Sequence, residues 1–170
     1  VLVEEMTAED CRKVMSSAAF GRLGSVQDGQ PYVVPVSFAA DREYAYLFSM
    51  PGRKVDSMRK NPRVCLEVDR VSSQTLWMSI VVLGRYEELP DTPESRPDRM
   101  RAQELLSGHP SWWLPGAVTE ADRAPENAQP IFYRIYMEHL TGRRSVPAPD
   151  EAAVTVSSGP SARSSVTRRG

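Results

Sequence analysis

Apolar and polar positions alternate along much of the chain, and the period of that alternation changes at a few sharply punctuated places. The stretch from Met6 opens with Thr7, an N-cap residue, followed by Glu9 and Asp10 in what would be the first turn. Cys11, Val14 and Met15 then share one helical face, so a short amphipathic helix ending near Ser16 and Ser17 is predicted. Phe20 to Val26 alternates as a strand whose glycines suit tight backbone contacts, and Asp28-Gly29 marks a hairpin turn. The runs Pro31 to Phe38 and Tyr44 to Ser49 are rich in β-branched and aromatic residues and read as successive antiparallel strands. Pro35 removes a ladder donor, which puts it at a sheet edge, at a bulge, or beside something other than a neighbouring strand.

Pro51-Gly52 breaks this pattern. Arg53 to Lys60 carries Val55 and Met58 at helical spacing and is stopped by Asn61-Pro62. Arg63 to Asp69 returns to strand alternation, and Thr75 to Leu89 is the most apolar strand and should cross the core. Thr92 to Ser107 is charged and helical, with Pro97 in the first turn, Met100, Leu105 and Leu106 as the buried face, and Gly108 as the stop. His109 to Gly116 is a loop holding Trp112 and Trp113, and Ile131 to Glu138 alternates like a last strand. Beyond Arg144 the large apolar residues vanish, so residues 1–144 form the folded domain and residues 145–170 a disordered, low-complexity tail. This order of elements suggests a small closed antiparallel barrel with helices on its outside.

The composition sharpens the exclusions. At 170 residues with 41% hydrophobic content the chain can build one real core. Lys and Arg number 21 against 22 Asp and Glu, a formal charge of −1. From Leu140 onward five Arg stand against Asp150 and Glu151, so this stretch is +3 and the rest −4. The excess positive charge lies in the tail, and neither nucleic acid nor a membrane surface is an expected partner. No apolar run approaches the roughly 20 residues that cross a bilayer and no apolar leader is seen, so a cytoplasmic protein is expected. Cys11 and Cys65 lie far apart, which argues against a disulfide framework and a thiolate metal site; no metal-ligand spacing appears.

Candidate chemistry is sparse. The two histidines, His109 and His139, stand in undistinguished settings and no Ser or Cys sits in a strand-to-helix elbow, so no catalytic residue is identified. Glycine-rich phosphate loops are absent. Gly52-Arg53-Lys54 is the informative cluster, because two cations open a helix whose free N–H groups already favour an anion. Either an anion is bound there, with Ser49 as a further donor, or the pair is a solvated surface feature. Arg85 is expected to pair with Glu87 or Glu88. Trp77, Trp112 and Trp113 are either core and interface residues or stack on a planar ligand.

Six segments in order carry more than any one of them: Gly21-Arg22-Leu23-Gly24, Pro31 to Val36, Tyr46 to Ser49 with Gly52-Arg53-Lys54, Asn61 to Cys65, Ser79 to Gly84, and Leu140 to Arg143. Over roughly residues 5 to 144 this combination closely resembles the FMN-binding split-barrel superfamily of pyridoxamine 5'-phosphate oxidase, in its nitroimidazole-resistance-type branch. The resemblance implies a mainly β fold, a six-stranded antiparallel split barrel with peripheral helices. It also implies a homodimer with FMN in each of two clefts at the subunit interface. Carried over residue by residue, the backbone of Val33, Val34, Pro35 and Val36 lies along the flavin ring. Phe48 and Ser49 meet the ring and ribityl chain, Arg53 and Lys54 clamp the phosphate, and Ser79 falls where the oxidase has a polar group near the flavin. Beyond the resemblance, Trp112 and Trp113 are candidates for a lid over the substrate.

Two departures bear on function. The tryptophan- and arginine-containing region that holds the substrate phosphate in the oxidase is replaced here by Thr141-Gly142-Arg143-Arg144, which argues against vitamin B6 oxidation. Phe48 stands close to where some nitroimidazole-resistance-type proteins place a histidine at the flavin edge. The implied activity is that of an FMN-dependent oxidoreductase or reductase acting on a small, flat, electron-poor substrate such as a nitroaromatic. The alternatives are a non-catalytic flavin-binding or carrier module, or a deazaflavin- or haem-binding member of the same fold.

Overall fold

The computed structural model describes residues 1–108 and 129–148. In chain order the elements are β1 (Leu2–Glu5), α1 (Ala8–Ser17), β2 (Phe20–Gln27), β3 (Gln30–Ser37), β4 (Ala39–Asp41), β5 (Tyr44–Ser49), α2 (Arg53–Lys60), β6 (Arg63–Ser73), β7 (Leu76–Glu88), α3 (Arg96–Ser107) and β8 (Ile131–Val146). Thr7 caps α1 as its sequence predicts, its hydroxyl accepting from the Asp10 N–H at 3.1 Å. Asp28 and Gly29 take φ values of 52° and 77°, the left-handed pair that a two-residue hairpin requires, and they set the β2–β3 register.

All ladders are antiparallel in the order β3-β2-β6-β7-β8-β5-β4, with β1 added along the far end of β8. The six long strands are those the sequence predicts; the four-residue β1 and three-residue β4 are additions. The path ends on β3 at one side and β4 at the other, so the sheet is curled but open. It is a split barrel, rather than the closed barrel that the element order alone suggests. Pro35 therefore lies on an edge strand, where a missing N–H costs no ladder bond.

The concave face holds the core. Leu23, Leu66, Ile80, Val82, Tyr133 and Ile135 are buried there, and β7 crosses it as expected. A second cluster joins α3 to the outer side of β4, β5 and β8 through Ala39, Tyr46, Leu89, Ala102 and Leu106. In α3 the buried face is Ala102, Leu105 and Leu106, while Met100 is 62% exposed. Positions 102, 105 and 106 share one helical face, and Met100, two residues before Ala102, points away from it.

Three expectations are corrected along β7 and β8. A bulge between Leu83 and Gly84 lets β8 follow β7 from Tyr133 to Arg144, well past Glu138, so His139 sits within the strand opposite Leu83. The same bulge brings Glu138 to Arg85, which pairs there and not with Glu87 or Glu88. Glu87 instead pairs with Arg134 at 2.7 Å and Glu88 with Arg59 at 2.7 Å. Finally, β8 runs two residues past the expected boundary at Arg144, because Ser145 and Val146 pair with Val3 and Leu2 of β1. Residues 149–170 of the expected tail lie outside the described residues, as do His109, Trp112 and Trp113. Among the described residues no helix is long and apolar enough to cross a membrane.

Candidate functional site

The N-terminus of α2 is held in place by the rest of its own helix. Val55 and Met58 are fully buried, and the buried Ser57 hydroxyl donates to Ser25 of β2 at 3.2 Å. At the other end Asn61 accepts from the Arg63 N–H at 3.2 Å, which fixes the turn into β6. The docked helix opens with two cations, and the first of them reaches β3. Arg53 is exposed and lies over the Tyr32 ring, its guanidinium carbon 4.8 Å from the centroid.

Lys54 is half-buried and, among the described residues, neither Lys54 nor Arg53 has a carboxylate or hydrogen-bond partner. Burial alone lowers the Lys54 ammonium to about 8. A desolvated cation costs free energy unless it is paired, and here it stands beside a second unpaired cation at the helix end where free N–H groups concentrate. An anion would complete this pair. A phosphate fits this donor set, since a guanidinium can meet it bidentately and an ammonium as a point charge.

The neighbouring strand β3 divides its predicted contacts between two faces. Val33 is 62% exposed and Pro35 is exposed on the outer face, whereas Val36 is buried and Val34 packs against the core. A flat ligand at β3 can therefore meet the free main-chain edge and the outward side chains only. Ser49 is half-buried at the end of β5, opposite Ile131 and just before the turn into α2. Phe48 is also half-buried, but its ring contacts Phe132 at 5.8 Å in the cluster beneath α3. Among the described residues no ring contact or hydrogen bond joins it to β3 or to Lys54.

Ser79 belongs to a polar track across the outer face of the sheet. Its hydroxyl donates to Glu67 at 3.2 Å, Glu67 accepts from Arg22 at 2.9 Å, and Arg22 also reaches Asp69. Arg22 is the ladder partner of Pro35, and both line a cleft of about 410 Å³ with Phe20, Gly21 and Asp69. Ser79 lines a separate cleft of about 520 Å³ with Trp77, Thr141 and Arg143 among others. Ser79 is thus linked to the Pro35 region through side chains, not by direct contact. The Arg22, Glu67 and Asp69 set and the Tyr32 side chain were not singled out from sequence. The alternation of Glu67 and Asp69 put them on one face, but their contact with Arg22 depends on β2–β6 pairing.

Residues 7–144 match the family model described as pyridoxamine 5'-phosphate oxidase. The chain belongs to this family. It is 39% identical over 144 residues to an uncharacterized protein of Rhizobium meliloti, covering 84% of this chain and 95% of that one. The crystal structure of a FAD-binding protein from Mesorhizobium loti is similar at 42% identity with a TM-score of 0.72, covering 86% of this chain and all of that one. A candidate 5-nitroimidazole antibiotic resistance protein from Bacteroides thetaiotaomicron shares the fold, with a TM-score of 0.60 at 19% identity over 85% of this chain and 89% of that one.

Within this pyridoxamine 5'-phosphate oxidase family member, the segment Thr141 to Arg144 is a regular part of β8, paired with Val81 to Met78 of β7. Its backbone groups are consumed by the ladder. Arg144 is further tied to Glu4, and among the described residues Arg143 has no carboxylate partner.

Proposed function

We propose that this chain binds FMN through its phosphate and ring, and works in the cytoplasm as a homodimeric flavin-dependent oxidoreductase on a small, planar, electron-poor substrate of the nitroaromatic kind. The observation that carries the reading is the unpaired, half-buried Lys54 ammonium beside the unpaired Arg53 at the start of α2. Family membership and the similarity to a FAD-binding protein at 42% identity support a flavin in that place. When bound, the isoalloxazine supplies the electron-transfer chemistry. Arg53 and Lys54 bind the phosphate, with Ser49 as a further donor, and the main chain of Val33 to Val36 flanks the ring.

The outer face supports the homodimer. Val33 and Leu83, 62% and 52% exposed, rim a cleft of about 390 Å³ that Gly24, Pro31 and Cys65 also line. Contiguous exposed apolar surface of this kind favours an interface. At its border Arg63 stands opposite Arg85 in the β6–β7 ladder and, among the described residues, has no carboxylate partner. A two-fold contact with a second copy covers the apolar strip in both chains.

The absence of a titratable side chain among Val33, Val34, Pro35, Val36 and Phe48 favours a second reading, a flavin carrier without turnover. The first experiment is the visible spectrum of the purified protein, with mass identification of the molecule released by mild denaturant. Flavin bands with released FMN support the proposal, released FAD corrects the cofactor, and a colourless protein that takes up neither overturns it. Stopped-flow reoxidation then separates the readings: an enzyme reoxidises faster with a nitroaromatic acceptor than with oxygen alone, and a carrier does not.

A further inference from the structure

The Tyr32 ring lies against the Arg53 guanidinium, and the manner of contact matters. A cation over an aromatic face is held by the ring quadrupole and not by a hydrogen-bond acceptor, so none of the guanidinium N–H donors is consumed. Arg53 is otherwise poorly constrained. It is exposed and, among the described residues, lacks a carboxylate partner; its neighbour Lys54 carries like charge. A long side chain in that position would spread over many rotamers and be repelled outward from the helix end. The ring of Tyr32, 4.8 Å from the guanidinium carbon, opposes both tendencies. Tyr32 is itself fixed: it is half-buried and stands opposite Ser25, the residue to which Ser57 of α2 donates.

We infer that Tyr32 is a positioning residue for anion capture, holding the Arg53 guanidinium at the start of α2 with its donors free for the ligand's phosphate. The inference rests on the flavin-phosphate reading of the Arg53 and Lys54 pair. It goes further in assigning the Tyr32 ring to the phosphate end of the ligand, not to the isoalloxazine. Tyr32→Phe keeps the ring and is expected to bind FMN like the wild type. Tyr32→Leu keeps the bulk without the quadrupole and is expected to weaken FMN binding about 5- to 10-fold.

The test compares FMN with riboflavin, which has the same ring and no phosphate, by quenching of flavin fluorescence in the full chain. Tyr32→Leu should weaken FMN and leave riboflavin unchanged, and in an Arg53→Ala background it should add no further loss. Equal losses for FMN and riboflavin overturn the inference, because they place the ring against the isoalloxazine or report general damage to the fold. So does a Tyr32→Leu protein with undiminished FMN affinity, or a Tyr32→Phe protein as weak as Tyr32→Leu. A wild type that takes up no FMN overturns the flavin reading and this inference with it. If Tyr32→Leu does not fold, Tyr32→Met fills the same space without a ring: FMN should weaken while riboflavin does not, and undiminished affinity for FMN counts against the ring's role.

Discussion

Arg59 of α2 donates through Nε and Nη2 to the two carboxylate oxygens of Glu88 at the end of β7, at 2.8 and 2.7 Å. Glu88 also accepts from the Tyr86 hydroxyl at 2.9 Å. This fork ties the helix that carries Arg53 and Lys54 to the strand that crosses the core, so the aim of the two cations depends on it.

The Arg59 guanidinium holds the Glu88 carboxyl below the usual carboxylate range, with a smaller lowering from the Tyr86 hydroxyl. A carboxyl depressed in the folded state contributes stability that is fully present above its unfolded value, near 4.3, and is lost as pH falls through the folded value. Both side chains are partly exposed, which keeps the effect small. Glu88→Gln is expected to lower stability at pH 7 by about 1 kcal/mol. Urea unfolding at pH 7 and pH 3 checks this: the gap between variant and wild type should shrink at the lower pH, and a constant gap contradicts the linkage.

Lys54 sets stability against binding. Its ammonium, lowered to about 8 by burial, costs stability in the ligand-free protein below that pH; the cost is relieved as pH rises from about 8 toward the unfolded value near 10.4. Lys54→Met should therefore stabilise the ligand-free chain by about 1–2 kcal/mol at pH 7. The same change should weaken FMN binding about 10-fold or more through loss of a charge-assisted contact. Thermal melting and flavin titration together test the pair of effects. In the wild type, FMN affinity should decline as pH rises above about 8, and a flat profile to pH 10 excludes Lys54 as the charged partner.

Leu83→Arg places a charge on the exposed apolar strip, at a side chain that is half exposed. Light scattering should report a dimer for the wild type and a monomer for the variant, with flavin retention lost alongside if the cofactor sits between subunits. A variant that remains dimeric moves the interface elsewhere.

Two glycines should respond oppositely to a methyl group. A Cβ on Gly84 would lie 2.5 Å from the Tyr136 carbonyl oxygen and 2.7 Å from Ile135 Cγ2, so Gly84→Ala must shift backbone at the bulge and should destabilise by about 1–3 kcal/mol. At Gly24 the nearest atom would be 3.6 Å away, an ordinary contact. Gly24→Ala should melt near the wild-type temperature, and comparison of the two melting curves decides whether β8 packs as closely on Gly84 as described.

Much of the sheet was legible because strand alternation is a local property. Leu23 and Ser25, Leu66 and Val68, and Ile80 and Val82 alternate inward along their own strands, and each strand was placed within a few residues. β1 and β4 are too short to display a period and exist because β8 and β5 offer them open edges. The extension of β8 beyond Glu138 was hidden for a related reason: Thr141 to Val146 contains little apolar alternation, and only pairing with β7 and β1 makes it a strand. Met100 is apolar yet lies off the buried face of α3, whose phase is set by the tertiary contacts of Ala102 and Leu106.

By itself the sequence determined the alternating cores of the six long strands, the turn at Asp28-Gly29, the cap at Thr7 and the cation pair that opens α2, since each depends on residues within a turn or two of one another. Tertiary structure decided what those elements meet. It left the sheet open between β3 and β4, turned Phe48 toward Phe132 and α3, tied Ser79 to Glu67, and set Tyr32 beneath Arg53. These outcomes depend on ladder register and helix docking between distant segments, where a shift of one residue would turn the same side chains to the opposite face.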